Sequence, residues 1–267
     1  MKTLTENAIG SANVLEAIRL VNKPLIAVMI TSDKAYDNVE WAWGYRETDP
    51  LGGIDPYSAS KAMAELAIKT YVNSYFKNPK DGVRIGITRA GNVIGGGDWA
   101  KNRIVPDCME SWSKNKIVDI RKPEATRPWQ HVLEPLSGYL SLGLELYNSP
   151  LKHGQAYNFG PPANQNYPVK DLIDEMSSSW KNVRWNDTSD NIDNLHEAGL
   201  LKLNCDKALF DLEWLPTLGF EKTVKMTVDW YKAYYEGKKG TMWEFSSNQI
   251  DEYTSLAQNE GRAWAKY

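Results

Sequence analysis

The run L-I-A-V-M-I at residues 25–30, delivering T-S-D-K at 31–34, is apolar and largely β-branched before it turns abruptly polar. Such a run reads as a strand buried on both faces, as parallel strands between helix layers are. Upstream, residues 4–20 carry apolar side chains at Leu4, Ala8, Ala12, Leu15 and Ile18, a helical period, and Pro24 marks the exit. Downstream, a loop of Trp, Gly and Pro leads to a helix that starts near Pro56 and runs through S-A-S-K-A-M-A-E-L-A-I-K-T-Y-V-N-S-Y-F. V-R-I-G-I-T-R-A-G (83–91) reads as a second buried strand and G-Q-A-Y-N-F-G (154–160) as a third. Between these two lie a Gly-rich loop, a helix near 105–114, a short strand at K-I-V-D-I and a helix over E-P-L-S-G-Y-L-S-L-G-L-E-L-Y. Strand and helix alternate, which implies an α/β fold with a parallel sheet.

Beyond residue 160 the pattern changes to helical periods at 168–180, 205–212 and 220–236, with one more helix in the aromatic tail from 240. The chain therefore divides into an α/β part, 1–160, and a smaller, mostly helical lobe, 161–267, the two interleaving in space. With 267 residues, 42% of them hydrophobic, there is material for one large domain or two modest ones. A net charge of −3 offers no basic surplus for a phosphate backbone and argues against nucleic acid. The two cysteines, Cys108 and Cys205, lack metal-ligand spacing and fit a reducing, cytoplasmic setting. Without metal-ligand spacing no metal is expected, and no window approaches a membrane span, so no membrane is expected either.

Tyr57 and Lys61 form Y-x-x-x-K, which on a helix puts phenol and ammonium on one face, one turn apart. The ammonium favours phenolate, and a phenolate is a usable general base for an alcohol losing hydride. Such a pair also arises by chance on exposed helix faces, so its weight comes from context. The preceding strand carries Thr31, Ser32, Asp33 and Lys34 at its carboxyl end, where open parallel sheets place their ligands. Gly95, Gly97 and Ala100 with Asp119 imitate a dinucleotide fingerprint, but the expected helix begins too far downstream of the glycines.

Taken together, N-A-I-G-S-A-N-V-L-E-A (7–17), T-S-D-K (31–34), D-P-Y-S-A-S-K (55–61), R-A-G-N-V-I-G-G-G-D-W (89–99), R-P-W-Q-H-V (127–132) and Y-N-F-G-P (157–161) resemble the extended short-chain dehydrogenase/reductase family, in its nucleotide-sugar 4,6-dehydratase branch. The resemblance implies a partial doubly wound, Rossmann-like sheet with a helical substrate lobe. It makes Ser32, Tyr57 and Lys61 the hydride-transfer set, with Thr31 and Ala90 beside the NAD cofactor. Asp33 would protonate the departing C6 hydroxyl, and Lys34 stands where many members carry a Glu base. That Ser-Asp-Lys variant, with G-G-G-D-W and R-P-W-Q-H-V, resembles the members acting on CDP-glucose. Asn92 and Arg103 would approach the sugar and diphosphate, Arg127 would clamp the diphosphate, and His196 and Glu197 would lie near the nucleotide.

Members of the family begin with a strand and G-x-x-G-x-x-G, and the resemblance starts here at their fourth helix. The expectation is therefore a chain lacking the amino-terminal dinucleotide-binding segment. The sugar nucleotide, a second copy of the chain or a complementing amino-terminal segment are the partners this implies. Two other readings stand beside the dehydratase: an inactive remnant that binds a sugar nucleotide or a partner, and an epimerase or decarboxylase of the same branch. The Asp33-Lys34 pair argues against the last.

Overall fold

The computed structural model describes residues 1–79, 82–189, 200–237 and 240–266. Two compact units are built from alternating stretches of chain: Met1–Gly91, Pro135–Gly160 and Leu201–Leu215 in the first, and Asn92–Glu134, Pro161–Leu200 and Pro216–Tyr267 in the second.

The first unit opens with a helix of three parts, Lys2–Leu4, a π-helical turn at Thr5–Ile9 and α1 (Gly10–Val21). It ends where Asn22 takes left-handed backbone angles. Strand β1 (Leu25–Ile30) pairs in parallel with β2 (Val83–Ala90), and β2 with β7 (Ala156–Phe159), giving the strand order β1-β2-β7. Between β1 and β2 runs α2 (Pro56–Tyr75). Its start is written locally: Pro56 sits in the first turn and the Asp55 side chain caps the amides of Tyr57 and Ser58. Its inner face, Ile68 and Val72, joins Leu15, Ile18, Ile85, Ile87 and Ala156 in one core cluster. On the sheet's other side, α4 (Leu133–Asn148) lays Leu142 and Leu146 over Gly86, where an added Cβ would fall 2.8 Å from Leu142. Both leucines are fully buried, each contributing about 1.5–3 kcal/mol.

The sequence pattern misjudges β1 in one respect. Among the described residues it pairs on one side only, and its ends are open, with Ile30 57% exposed. An apolar run reports the chemistry of the strand, whereas burial on both faces depends on what lies beside it.

The second unit combines short paired strands with helices. β3 (Val93–Ile94) pairs with β6 (Gln130–His131), β4 (Val118–Ile120) with β9 (Trp185–Asp187), and β5 (Thr126–Arg127) with β8 (Tyr167–Pro168). Its core gathers Cys108, Met109 and Trp112 of α3 (Ile104–Ser113), Leu172, Ile173 and Met176 of α5 (Val169–Ser179), and Val224, Val228 and Tyr231 of α7 (Phe220–Tyr235). α8 (Met242–Asn259), started by a capping box between Thr241 and Glu244, packs against α7. α6 (Asp206–Leu212) belongs to the first unit. Glu134 is buried and accepts from the amides of Thr217 and Leu218 and from the Tyr253 hydroxyl at 3.0 Å. Burial pushes its carboxyl up to about 7 against the pull of those donors. Among the described residues no helix is long and apolar enough to cross a membrane.

Candidate active site

At the carboxyl end of β1 the chain turns sharply. Thr31 is buried, with both its amide and its hydroxyl donating to the Thr88 carbonyl, at 2.8 and 2.9 Å. Ser32 caps a short 3-10 turn, Asp33–Ala35, its Oγ accepting from the Lys34 amide at 3.2 Å and donating to Asp33 Oδ1 at 2.9 Å. Asp33 itself is 4% exposed. Its carboxylate lies against Gly91, where a Cβ would stand 1.8 Å from Oδ2, so the position tolerates no side chain. Glycine in R-A-G is thus required by the neighbouring acid rather than by a backbone turn. Tyr139 is close by; burial above all, with the Asp33 charge adding to it, pushes its phenol up to about 12.

Helix α2 packs against this 3-10 turn, which brings T-S-D-K and Y-x-x-x-K together. Just before the helix, the loop folds back on its first turn at Gly53, where a Cβ would meet Ser58 at 2.5 Å. Tyr57, in the first turn, is 46% exposed, and the Lys61 ammonium lies 5.9 Å from its ring centre. Burial lowers the Lys61 pKa from its ordinary value. Burial also works to raise Asp55, but hydrogen bonds from Ser58 and Tyr57 and the charge of Lys34 outweigh it and hold this carboxyl low. Asn7, in the π-helical turn, donates to Ser60 Oγ at 2.8 Å, and Ser60 donates to the Tyr57 carbonyl at 2.6 Å. Single π turns recur at functional sites, and this one ties the N-A-I-G motif to the tyrosine helix.

Behind the turn lies a buried polar network. Arg89 and Glu65, both with fully buried side chains, form a two-point ion pair, Nε to Oε2 at 2.8 Å and Nη2 to Oε1. Glu65 also accepts from Thr31 at 3.3 Å. Arg89 continues to the Tyr36 hydroxyl at 2.5 Å, and Tyr36 donates to Asn158 Oδ1 at 2.8 Å. Asn158 in turn donates from its amide to Glu47 and from its side chain to the Tyr45 and Asn204 carbonyls. Burial disfavours the Arg89 charge, yet the Glu65 carboxylate more than offsets this and raises its pKa above the ordinary value.

The second unit carries Asn92, Arg103 and Arg127. Asn92 has a left-handed backbone (φ 54°) and its carbonyl accepts from the Gln130 amide at 3.2 Å. Arg103, just ahead of α3, faces Asp98 at 3.5 Å with its side chain 63% exposed. Arg127 lies in β5, and its Nη1 donates to the Thr126 carbonyl at 2.8 Å. The helix after the glycines begins at Ile104, clear of the Gly95–Gly97 run, unlike the direct strand-to-helix turn of a dinucleotide fingerprint. His196 and Glu197 lie outside the described residues.

His131, next to Gln130 in β6, is 2% exposed, and its Nδ1 accepts from the Leu133 amide at 3.3 Å. Burial pulls its pKa down to about 4. Between about pH 6.5 and pH 4 the unfolded chain takes up a proton that the folded chain refuses, so stability falls as the pH drops through that window. The expected loss is about 3 kcal/mol by pH 4. Urea midpoints of the wild-type chain and of His131→Asn, followed from pH 7 to pH 4, check it; parallel curves would remove His131 from the account.

This geometry has relatives. The family model described as GDP-mannose 4,6 dehydratase matches residues 1–227. A CDP-glucose 4,6-dehydratase of Salmonella typhimurium is 44% identical over 260 residues, covering 96% of this chain and 71% of that protein. The chain belongs to the nucleotide-sugar dehydratase family of extended short-chain dehydrogenases. Solved dehydratases and epimerases share its fold. A dTDP-glucose 4,6-dehydratase from Bacillus anthracis, in complex with NAD, superposes with a TM-score of 0.69 at 21% identity, over 87% of this chain and 70% of that one. A UDP-glucuronic acid 4-epimerase from Bacillus cereus, in complex with UDP-glucuronic acid and NAD, gives 0.72 at 18% identity, over 87% and 69%.

The family uses a nicotinamide cofactor. An exposed phenol stands beside a half-buried ammonium, and the buried turn behind them is already hydrogen-bonded within itself. Beyond the motifs that mark this dehydratase family, the structure adds Tyr36, Glu47, Glu65 and Tyr139, which sequence reading passes over, and gives contacts to Asn7, Arg89 and Asn158, which it reads only as members of strands and motifs. Charge in an apolar context was the available signal for two of them, Arg89 in V-R-I-G-I-T-R-A and Glu65 in A-M-A-E-L-A.

Proposed function

We propose that this chain carries the substrate-converting part of an NAD-dependent CDP-glucose 4,6-dehydratase, forming CDP-4-keto-6-deoxyglucose. The observation that carries the reading is Asp33, buried between the Ser32 hydroxyl and Gly91 and followed by Lys34, on a turn against which the Tyr57–Lys61 helix packs. The 44% identity with the Salmonella CDP-glucose enzyme supports the choice of nucleotide and sugar.

NAD, when bound with its nicotinamide end near Tyr57, Lys61, Thr31 and Ala90, supplies the acceptor for the C4 hydride and its return to C6. Tyr57 takes the proton of the C4 hydroxyl as the hydride leaves; Ser32 hydrogen-bonds that oxygen, and Lys61 favours the phenolate. The resulting 4-ketone acidifies the C5 hydrogen. Lys34 removes that proton, Asp33 gives its proton to the departing C6 hydroxyl so that water leaves across C5 and C6, and Lys34 returns the proton to C5 as the hydride comes back to C6. Asn92, Arg103 and Arg127 hold the sugar and diphosphate, guanidinium forks matching phosphate oxygens.

Asp33→Ala and Lys34→Ala are each expected to slow dehydration by about 10²–10⁴ while leaving C4 oxidation less affected. The assay is a single turnover of the chain joined to the stretch of the Salmonella enzyme outside the matched region, reading 4-keto sugar and reduced nicotinamide. Their accumulation supports the roles; equal slowing of both steps, with neither accumulating, removes them.

A further inference from the structure

The stretch from Gly95 to Arg103 contains three consecutive glycines and no regular secondary structure, and an unrestrained chain of this composition samples many backbone states. Here helix α7 holds it at three places. Gly96 lies directly on the Trp230 indole, where a Cβ would fall 2.0 Å from the ring. Tyr231, fully buried, donates from its hydroxyl to the Asp98 carbonyl at 2.6 Å. Trp99 packs its ring against Tyr234 at 4.9 Å and edge-on to Tyr231 at 5.5 Å. Trp230 is itself anchored, its Nε1 donating to Ser246 Oγ at 2.9 Å.

What this grip positions is Asp98. Its Oδ1 accepts from the Ala100 amide at 2.9 Å, and its Oδ2 faces the Arg103 guanidinium at 3.5 Å. Exposed ion pairs of this kind add little to stability, so the arrangement orients more than it stabilises. We propose that Tyr231 and Trp230 are positioning residues that, through Asp98, fix where Arg103 presents its guanidinium to the diphosphate of a sugar nucleotide. The inference rests on the reading of Arg103 as a phosphate ligand given under the proposed function. Neither aromatic touches the ligand in this scheme; both act by removing freedom from an arginine that would otherwise have to be ordered on binding.

The test is calorimetric titration of the full 267-residue chain with CDP and, separately, with cytidine, which has the base and sugar but no phosphate. Tyr231→Phe is expected to weaken CDP binding about three- to tenfold and leave cytidine binding unchanged. In an Arg103→Ala background the same substitution should have no further effect. Gly96→Ala, which must lift the loop from Trp230, should reproduce the selective loss without touching the buried tyrosine. Equal weakening of CDP and cytidine, undiminished effects in the Arg103→Ala background, or wild-type CDP affinity in both Tyr231→Phe and Gly96→Ala would overturn the proposal. If Arg103→Ala binds CDP as tightly as the wild-type chain, or the wild-type chain binds no CDP, the phosphate-ligand reading beneath it falls as well.

Discussion

Glu65→Gln is expected to destabilise the first unit by about 3–5 kcal/mol, a large share of a domain's total stability. The substitution keeps the size and one acceptor of the side chain, so no cavity opens. What it removes is the charge facing Arg89, whose guanidinium is fully buried at the end of β2. Tyr36 still lies under that guanidinium, its ring centre 4.6 Å away, and still accepts one hydrogen bond. A ring face and a phenol do not balance a desolvated cation, and Lys69, 3.3 Å from Glu65, adds a second positive charge nearby. Urea unfolding of the wild type and the variant measures the difference. A double substitution to apolar residues, Glu65→Leu with Arg89→Met, should recover much of the loss, because a buried pair replaced as a unit leaves no charge stranded. A Glu65→Gln loss below about 1 kcal/mol would show that Arg89 is compensated elsewhere.

How much of this was legible in the sequence follows from the range of each signal. The apolar run at 25–30, the helical periods at 4–20 and 168–180, and the Pro56 start are written in neighbouring residues, and the structure places elements at Leu25–Ile30, Gly10–Val21, Val169–Ser179 and Pro56–Tyr75. The small strand pairs of the second unit were harder: Val118–Ile120 was readable as a strand, but its partner Trp185–Asp187 is short, polar and far along the chain. Arg89, Tyr36 and Asn158 illustrate the same limit within the site. Tyr36 and Asn158 are unremarkable among their neighbours, Arg89 stands out only as a charge in an apolar run, and their connection depends on hydrogen bonds spanning tens of residues or more. The role of Gly91 is likewise invisible without Asp33 beside it, and that of Gly96 without Trp230. Motif spacing pointed to Tyr57 and Lys61, and the strand end together with the family resemblance to Ser32 and Asp33; the contacts that hold these residues in place had to come from the fold.

Tyr57→Phe carries the other large expectation: in the chain joined to the unmatched stretch of the Salmonella enzyme, C4 oxidation of CDP-glucose should fall by about 10²–10⁴. The structure makes this substitution unusually easy to interpret. Tyr57 stands in the first turn of α2 with nearly half its surface exposed, and the helix start is capped through the residue's backbone amide by Asp55, a bond that Phe retains. Loss of one exposed hydroxyl should therefore change stability by no more than about 0.5 kcal/mol. CDP affinity should also be unchanged, since the residues assigned to the diphosphate are Asn92, Arg103 and Arg127. Three measurements then separate the possible roles of the phenol. Lost oxidation with unchanged unfolding midpoint and unchanged CDP titration assigns it to proton removal at C4. A lowered midpoint would make it a structural residue, a weakened CDP titration a binding residue, and wild-type turnover would leave the Y-x-x-x-K spacing as the chance pairing that helix faces so often present.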